Sequence, residues 1–145
     1  MLVLGWLNVT PIAIDAPQIQ APLVAVGIDD SGQMQPPDDP DTAGWMMIGK
    51  HHLILDGHVD WNYRLRPFSN LRYLNEGDEI DVTGDDGNSY AYTVVWSHVF
   101  DLDSIPEEVF QPTAIETLTA ITCAGQFIDG EYQSRRVVWA ELNAD

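Results

Sequence analysis

The sequence predicts an all-β fold, a barrel or a sandwich. Three observations carry that prediction. Few segments hold a helical period over about 11 residues or more. Short β-branched and aromatic runs instead alternate with turns of Gly, Pro and Asp along the whole chain. The chain has 145 residues, 45% of them hydrophobic and 20% charged, which suits one globular domain over 1–145. A domain near this length buries roughly 68–70% of its unfolded surface, so it needs no disulfide staples. No internal repeat or low-complexity tract interrupts it.

Residues 3–9 and 12–14 predict a strand broken at Thr10-Pro11, because proline cannot donate to a ladder. Residues 19–28 are apolar and β-branched, with Pro22 inside, and close at the turn Asp29-Asp30-Ser31-Gly32. The proline- and aspartate-rich stretch 35–44 predicts an irregular loop. Strands follow at 45–48, before Gly49-Lys50, and at 52–58, ending on Gly57-His58. A turn at 75–78 leads into the alternating strand 79–83, and Gly84-Asp85-Asp86-Gly87-Asn88 is the clearest hairpin turn. The return strand, 89–100, sets Tyr90, Tyr92, Val94, Trp96 and His98 on one face if it alternates without a break. Residues 106–110 predict one helical turn, with Pro106 in its first position. Last come a strand over 118–125, a loop over 125–131 and a strand over 135–142.

Composition excludes some functions. With 23 acidic against 6 basic side chains the net charge is −17. Such a surface repels phosphate backbones and anionic lipid, so nucleic acid is not expected as a partner. It attracts cationic groups such as free amines. No stretch reaches the ~18 apolar residues of a membrane span. Residues 1–7 are apolar but lack the basic start and small-residue cleavage site of a signal peptide, so neither anchor nor signal peptide is visible.

The single cysteine, Cys123, ends the apolar run Leu118-Thr119-Ala120-Ile121-Thr122-Cys123. Taken alone, such a thiol is equally a small core hydrophobe and a nucleophile. Two further residues favour the nucleophile. His58 follows a glycine in Asp56-Gly57-His58-Val59-Asp60, and Arg135 opens an apolar strand in Tyr132-Gln133-Ser134-Arg135-Arg136-Val137-Val138-Trp139-Ala140. A cysteine attacking an amide needs a proton handler for the leaving amine, and histidine titrates in the right range. The tetrahedral oxyanion needs a donor, and guanidinium stays charged at any working pH. Met at one barrel rim, the three would serve acyl transfer. Alternation sends Arg135 and Arg136 to opposite faces, leaving Arg136 as a solvated cation.

These pieces resemble the sortase family of bacterial cysteine transpeptidases. The histidine segment is similar to the family's G-H-x-D-like motif, the cysteine run to its T-L-x-T-C motif, and the strand from Tyr132 to its arginine strand. Leu74-Asn75-Glu76-Gly77-Asp78-Glu79-Ile80 is similar to its L-x-x-G-D-x-I entry. Cys123-Ala124-Gly125-Gln126-Phe127-Ile128-Asp129 and Pro36-Pro37-Asp38-Asp39-Pro40 are similar to the class F branch, so the chain resembles class F/E-type members most. The resemblance implies a closed eight-stranded barrel with one or two short helical turns. It implies Cys123 as nucleophile, His58 as acid/base, Arg135 as the oxyanion or substrate-orienting group, and Thr122 as an aid to substrate binding. It implies a substrate bearing a C-terminal Leu-Pro-x-Thr-Gly-like sorting motif, an amine acceptor of the peptidoglycan or pilin kind, no cofactor and no metal. It also implies action at the cell surface, on the outer face of the membrane.

Rival readings remain. An L,D-transpeptidase expects His-Gly just before the cysteine, where Ile121-Thr122 stand, and a papain-like hydrolase expects cysteine before histidine. A non-catalytic β-barrel binding module, or an inactive homologue, would use the 5 tryptophans as ligand faces. The adjacent His51 and His52 lack the companions of a metal set. The aspartates of 38–41 and 101–103 match no EF-hand pattern and are taken as solvated loops.

Overall fold

A computed structural model describes residues 6–30 and 32–144. It is mostly β, and eight strands close into a barrel. The strands are β1 (Pro11–Ala16), β2 (Ile19–Ala25), β3 (Ala43–Ile48), β4 (His52–Asp56), β5 (Asp60–Trp61), β6 (Arg64–Leu65), β7 (Glu79–Gly84), β8 (Ser89–Asp101), β9 (Thr117–Ile128) and β10 (Glu131–Leu142). The barrel order is β1-β2-β3-β4-β9-β10-β8-β7, and β7 closes back on β1. β5 and β6 form a separate small hairpin. Two 3-10 helices, Pro67–Tyr73 and Glu107–Phe110, complete the regular structure.

Two apolar clusters hold the wall between them. Inside the barrel, Leu53 and Leu55 of β4, Leu118 and Ala120 of β9, and Val138 and Ala140 of β10 join the main core. On the outside of the same strands, Ile54, Ile121 and Val137 pack with Val109 from the second 3-10 helix. Every residue of β9 from Thr117 to Thr122 is therefore buried, on whichever face it lies. That is why this strand reads as a near-continuous apolar run rather than an alternating one.

Several expectations need correction. Residues 3–5 lie outside the described residues, and 6–8 form a turn, so the first strand begins at Pro11. Proline at a strand's first residue loses no interior ladder bond. The expected loop over 125–131 is mostly strand: β9 runs on to Ile128 and pairs with Glu131 of β10. Its turn is Asp129-Gly130, both with positive φ (53° and 80°), the backbone that a two-residue hairpin requires. The five aromatic and apolar positions of β8 do not share a face. Trp139 pairs with Trp96 and Ala140 with Val94, so Val95 bulges out of the ladder. Tyr90, Tyr92 and Val94 join the interior cluster, whereas Trp96 packs against the outer one and stacks on Trp139 at 5.7 Å. Pro106 is the N-cap of its helix, not its first residue. The helix Pro67–Tyr73 and the β5–β6 hairpin were not anticipated.

Gly57 sets how closely the first 3-10 helix packs under β4. A Cβ there would sit 2.7 Å from the Phe68 ring, and Phe68 is itself buried. Gly57→Ala therefore forces an overpacked contact and should destabilise the fold by about 1–3 kcal/mol, read as a lower denaturation midpoint with an unchanged slope.

Candidate active site

The site is laid out by three neighbouring strands. β4 runs parallel to β9, with His52 opposite Thr117 and Asp56 opposite Ile121. The pairing outlives the strand: Gly57 N–H donates to the Ile121 carbonyl at 3.3 Å. The Thr122 hydroxyl in turn donates to the Gly57 carbonyl at 2.7 Å. His58, the next residue, is thereby held alongside the Thr122-Cys123 end of β9. β10 runs antiparallel to β9 and sets Arg135 directly opposite Cys123. Residues paired in this way share a face of the sheet. Ile121 and Val137, two positions away on each strand, belong to the outer cluster, so Cys123 and Arg135 also face outward. Cys123 and Arg135 thus share the outer wall of the barrel, and the backbone beside His58 is bonded to the same end of β9.

Each group has a defined setting. His58 Nε2 donates to the Pro37 carbonyl at 2.6 Å. A carbonyl only accepts, so that nitrogen carries a proton, and Nδ1 is the ring atom left to accept one. The Trp61 indole meets the imidazole edge-on, with centroids 4.9 Å apart. Arg135 donates from Nη1 to the carbonyls of Ser134 (2.9 Å) and Tyr132 (3.3 Å). Among the described residues no carboxylate lies within ion-pair distance of it. Cys123 is half-buried. Burial pushes its thiol pKa up, the Arg135 charge pulls it down, and Asp56, Asp60 and Glu131 push it up again. The net direction is upward, so the resting group at neutral pH is the thiol.

Two expected residues differ from their predicted settings. Thr122 is 3% exposed, faces the interior side, and spends its hydroxyl on Gly57. Its hydroxyl ties the backbone beside His58 to β9. Arg136 is opposite Thr122, on the other face from Arg135. It is half-buried rather than solvated, and donates to the Ser97 hydroxyl at 3.0 Å. Burial, with the Arg72 charge nearby, lowers its pKa. The other two histidines of the β3–β4 connection have structural partners. His51 Nδ1 meets Glu116 Oε1 at 2.5 Å, and His52 is buried between the Gln111 carbonyl and the Thr119 hydroxyl.

Other groups around the sulfur carried no separable signal in the sequence. Tyr132 Oη donates to Asp60 Oδ2 at 2.5 Å, joining the β5–β6 hairpin to the start of β10; this bond lifts the tyrosine pKa to about 12. The partners are 72 positions apart, so no local pattern announces them. Asp56 ends β4 beside the outer cluster. Burial pushes its carboxyl up to about 7, against the pull of Arg135 and the Gly57 N–H. A cleft of about 490 Å³ beside Gln18, Leu65, Arg66 and Asn70 contains none of these residues.

Comparison with known proteins agrees with the eight-stranded barrel. A family model described as the Sortase domain matches residues 12–143. Among solved structures, a lid mutant of sortase A from Corynebacterium diphtheriae is 20% identical, with a TM-score of 0.69 over 93% of this chain and 70% of that one. Sortase A from Listeria monocytogenes is 24% identical, with a TM-score of 0.68 over 94% and 88%. Sortase C2 of Group B Streptococcus Pilus Island 1 is 21% identical, with a TM-score of 0.66 over 92% and 73%. At these identities the solved structures speak to the fold alone. No curated protein matches the chain.

Asp56 makes a prediction about stability. Its carboxyl is raised from 3.8 to about 7, so the folded state holds a proton that the unfolded state releases earlier. That contribution is fully present below pH 4 and is lost as pH rises through 7. Asp56→Asn cannot ionise and escapes the loss. The melting temperature of the variant relative to wild type should therefore climb between pH 4 and pH 8, by about 3 °C or more, as followed by thermal denaturation.

Proposed function

The chain belongs to the sortase family, and from that premise we propose that it is a cysteine transpeptidase acting on a C-terminal sorting motif of the Leu-Pro-x-Thr-Gly kind. One observation supports the reading: Arg135 pairs directly opposite Cys123, and the Gly57 backbone next to His58 is hydrogen-bonded to Ile121 and Thr122 of the same strand.

The steps follow from the settings of the groups. With its pKa raised, Cys123 reaches the thiolate by giving its proton to a neighbour, and His58 Nδ1 carries the available lone pair. The sulfur attacks the scissile carbonyl carbon, and its electron pair moves onto the oxygen. Arg135 steadies that oxyanion with a charge not spent on an ion pair. The C–N bond then breaks, the imidazolium returns its proton to the departing amine, and a thioester to Cys123 remains. An acceptor amine, or water, attacks the thioester with the same groups reversed. The acidic residues near the sulfur, Asp56, Asp60 and Glu131, favour arrival of an ammonium group. His58 must take that proton before the amine can attack.

Family membership also supports a place at the cell surface. The branch assignment to class F/E rests on the Cys123–Asp129 and Pro36–Pro40 stretches, quoted above. Among the described residues no helix is long and apolar enough to cross a membrane.

Peptides carrying Leu-Pro-x-Thr-Gly variants, incubated with the protein and followed by intact mass, should yield an acyl adduct on Cys123 that hydroxylamine or a glycine amine releases. Cys123→Ala should form no adduct. His58→Ala and Arg135→Ala should each lower kcat/KM by about 100-fold or more. Cleavage that survives Cys123→Ala, or an unmodified Cys123 across the whole peptide set, would sink the reading.

A further inference from the structure

Among the acidic groups near the sulfur, Asp56 lies within a barrel strand. Asp56 sits where the pattern of β4 calls for an apolar side chain. Alternation from Ile54 puts it on the outer wall, beside Ile121 and one step from Cys123. Its neighbour on β3 is Gly44, which offers no side chain, and Val26 covers that glycine. Among the described residues its carboxyl makes no ion pair within contact distance. A carboxylate in such a place is costly unless it is neutral or serves a nearby charge. The nearby charge is Arg135, which acts on both Asp56 and Cys123.

We propose that Asp56 is a positioning residue for the Cys123–Arg135 pair: its carboxyl competes with the sulfur for the one guanidinium charge on this wall, and a proton on Asp56 releases that charge to the thiolate and to the oxyanion. The inference rests on the transpeptidase reading for its meaning, but it concerns a charge contest that exists whether or not a peptide is cleaved.

The contest has a definite sign. An ionised Asp56 pushes the thiol up and takes part of the Arg135 field. A protonated Asp56 does neither. Burial pushes its carboxyl up to about 7, so the switch falls near neutral pH. The other groups acting on the sulfur come from separate elements, Asp60 from β5 and Glu131 from the start of β10, while the His58 ring follows Asp56 in the chain. β3 adds none at this point. Asp60 is engaged by Tyr132, which sets it apart from Asp56 as a competitor.

Alkylation of the sole cysteine reads the contest directly. The rate of iodoacetamide addition to Cys123 is measured by intact mass from pH 5 to pH 10, for wild type, Asp56→Asn, Asp60→Asn, Arg135→Ala and Asp56→Asn with Arg135→Ala. Wild type should show two ionisations, the thiol and a second near neutral pH. Asp56→Asn should keep only the first and react roughly threefold faster or more at pH 8. Asp60→Asn should keep both. In the Arg135→Ala background the change at position 56 should shift the rate by less than about 1.5-fold, because without the cation Asp56 is already protonated. A single ionisation in wild type overturns the proposal, and needs no variant to be seen. So does a second ionisation that survives Asp56→Asn, or one that Asp60→Asn removes. Where Asp56→Asn folds poorly, Asp56→Ser gives the same readout. Failure of peptide cleavage with the alkylation pattern intact would count against the transpeptidase reading and leave this one standing.

Discussion

The site depends on β9 being a fully paired interior strand of the wall. It is bonded in parallel to β4 on one side and antiparallel to β10 on the other. A one-residue slip against either neighbour would turn Cys123 away from Arg135 or carry the histidine corner past it. The register is fixed because both faces of β9 are buried, Leu118 and Ala120 inward and Ile121 outward. A strand that buries two faces cannot slide without exposing one of them. The precision of the site is therefore set by hydrophobic packing, and the polar contacts trim it. Thr122 and Gly57 carry the register two residues beyond the end of β4, to the point where His58 is placed.

Electrostatics then work on a site that packing has positioned. The surface is strongly acidic, and three carboxyl-bearing residues act on the sulfur against one guanidinium. A thiolate is disfavoured by that balance and by burial together. Many reactive cysteines are held as anions by a helix N-terminus or a flanking cation. Here the resting thiol is protected, and the anion is formed when a base takes its proton. The same carboxyl groups that oppose the thiolate attract positive charge, so one charge pattern disfavours the anion at the sulfur and draws cations to its surroundings.

Much of this was readable from the chain. The fold class came from the punctuation of short strands, and His58, Cys123 and Arg135 stood out through residue type and motif. The parts that were not readable share a cause. The Val95 bulge leaves the one-letter alternation of β8 unbroken, yet turns Trp96 to the outer wall while Tyr92 and Val94 stay inside. Thr122 adjoins the nucleophile in sequence, but a strand sends neighbours to opposite faces. The contacts of Tyr132 with Asp60 and of His58 with Pro37 join segments far apart in the chain. The Asp129-Gly130 turn did carry a hairpin signal, obscured because Gly125 suggested an earlier end to β9. Gly125 instead has positive φ (78°) within the strand, beside the register shift opposite Tyr132 and Ser134.

That shift explains how one long hairpin serves two purposes. From Thr117 to Cys123, β9 is wall, locked by both clusters. Beyond Gly125 it leaves the barrel with the start of β10, and Phe127 and Ile128 are exposed. The Tyr132–Asp60 bond ties this extension to the β5–β6 hairpin, where Trp61, Tyr63 and Leu65 are also exposed. Phe127 packs against the Tyr132 ring at 5.0 Å, so the bond also orders an aromatic surface beside the sulfur. A Cβ at position 125 would meet the Ser134 hydroxyl at 2.7 Å, which makes glycine the residue that permits the departure. The bend at Gly125 is thus the boundary between the part of the hairpin locked into the barrel wall and the part that carries exposed apolar side chains.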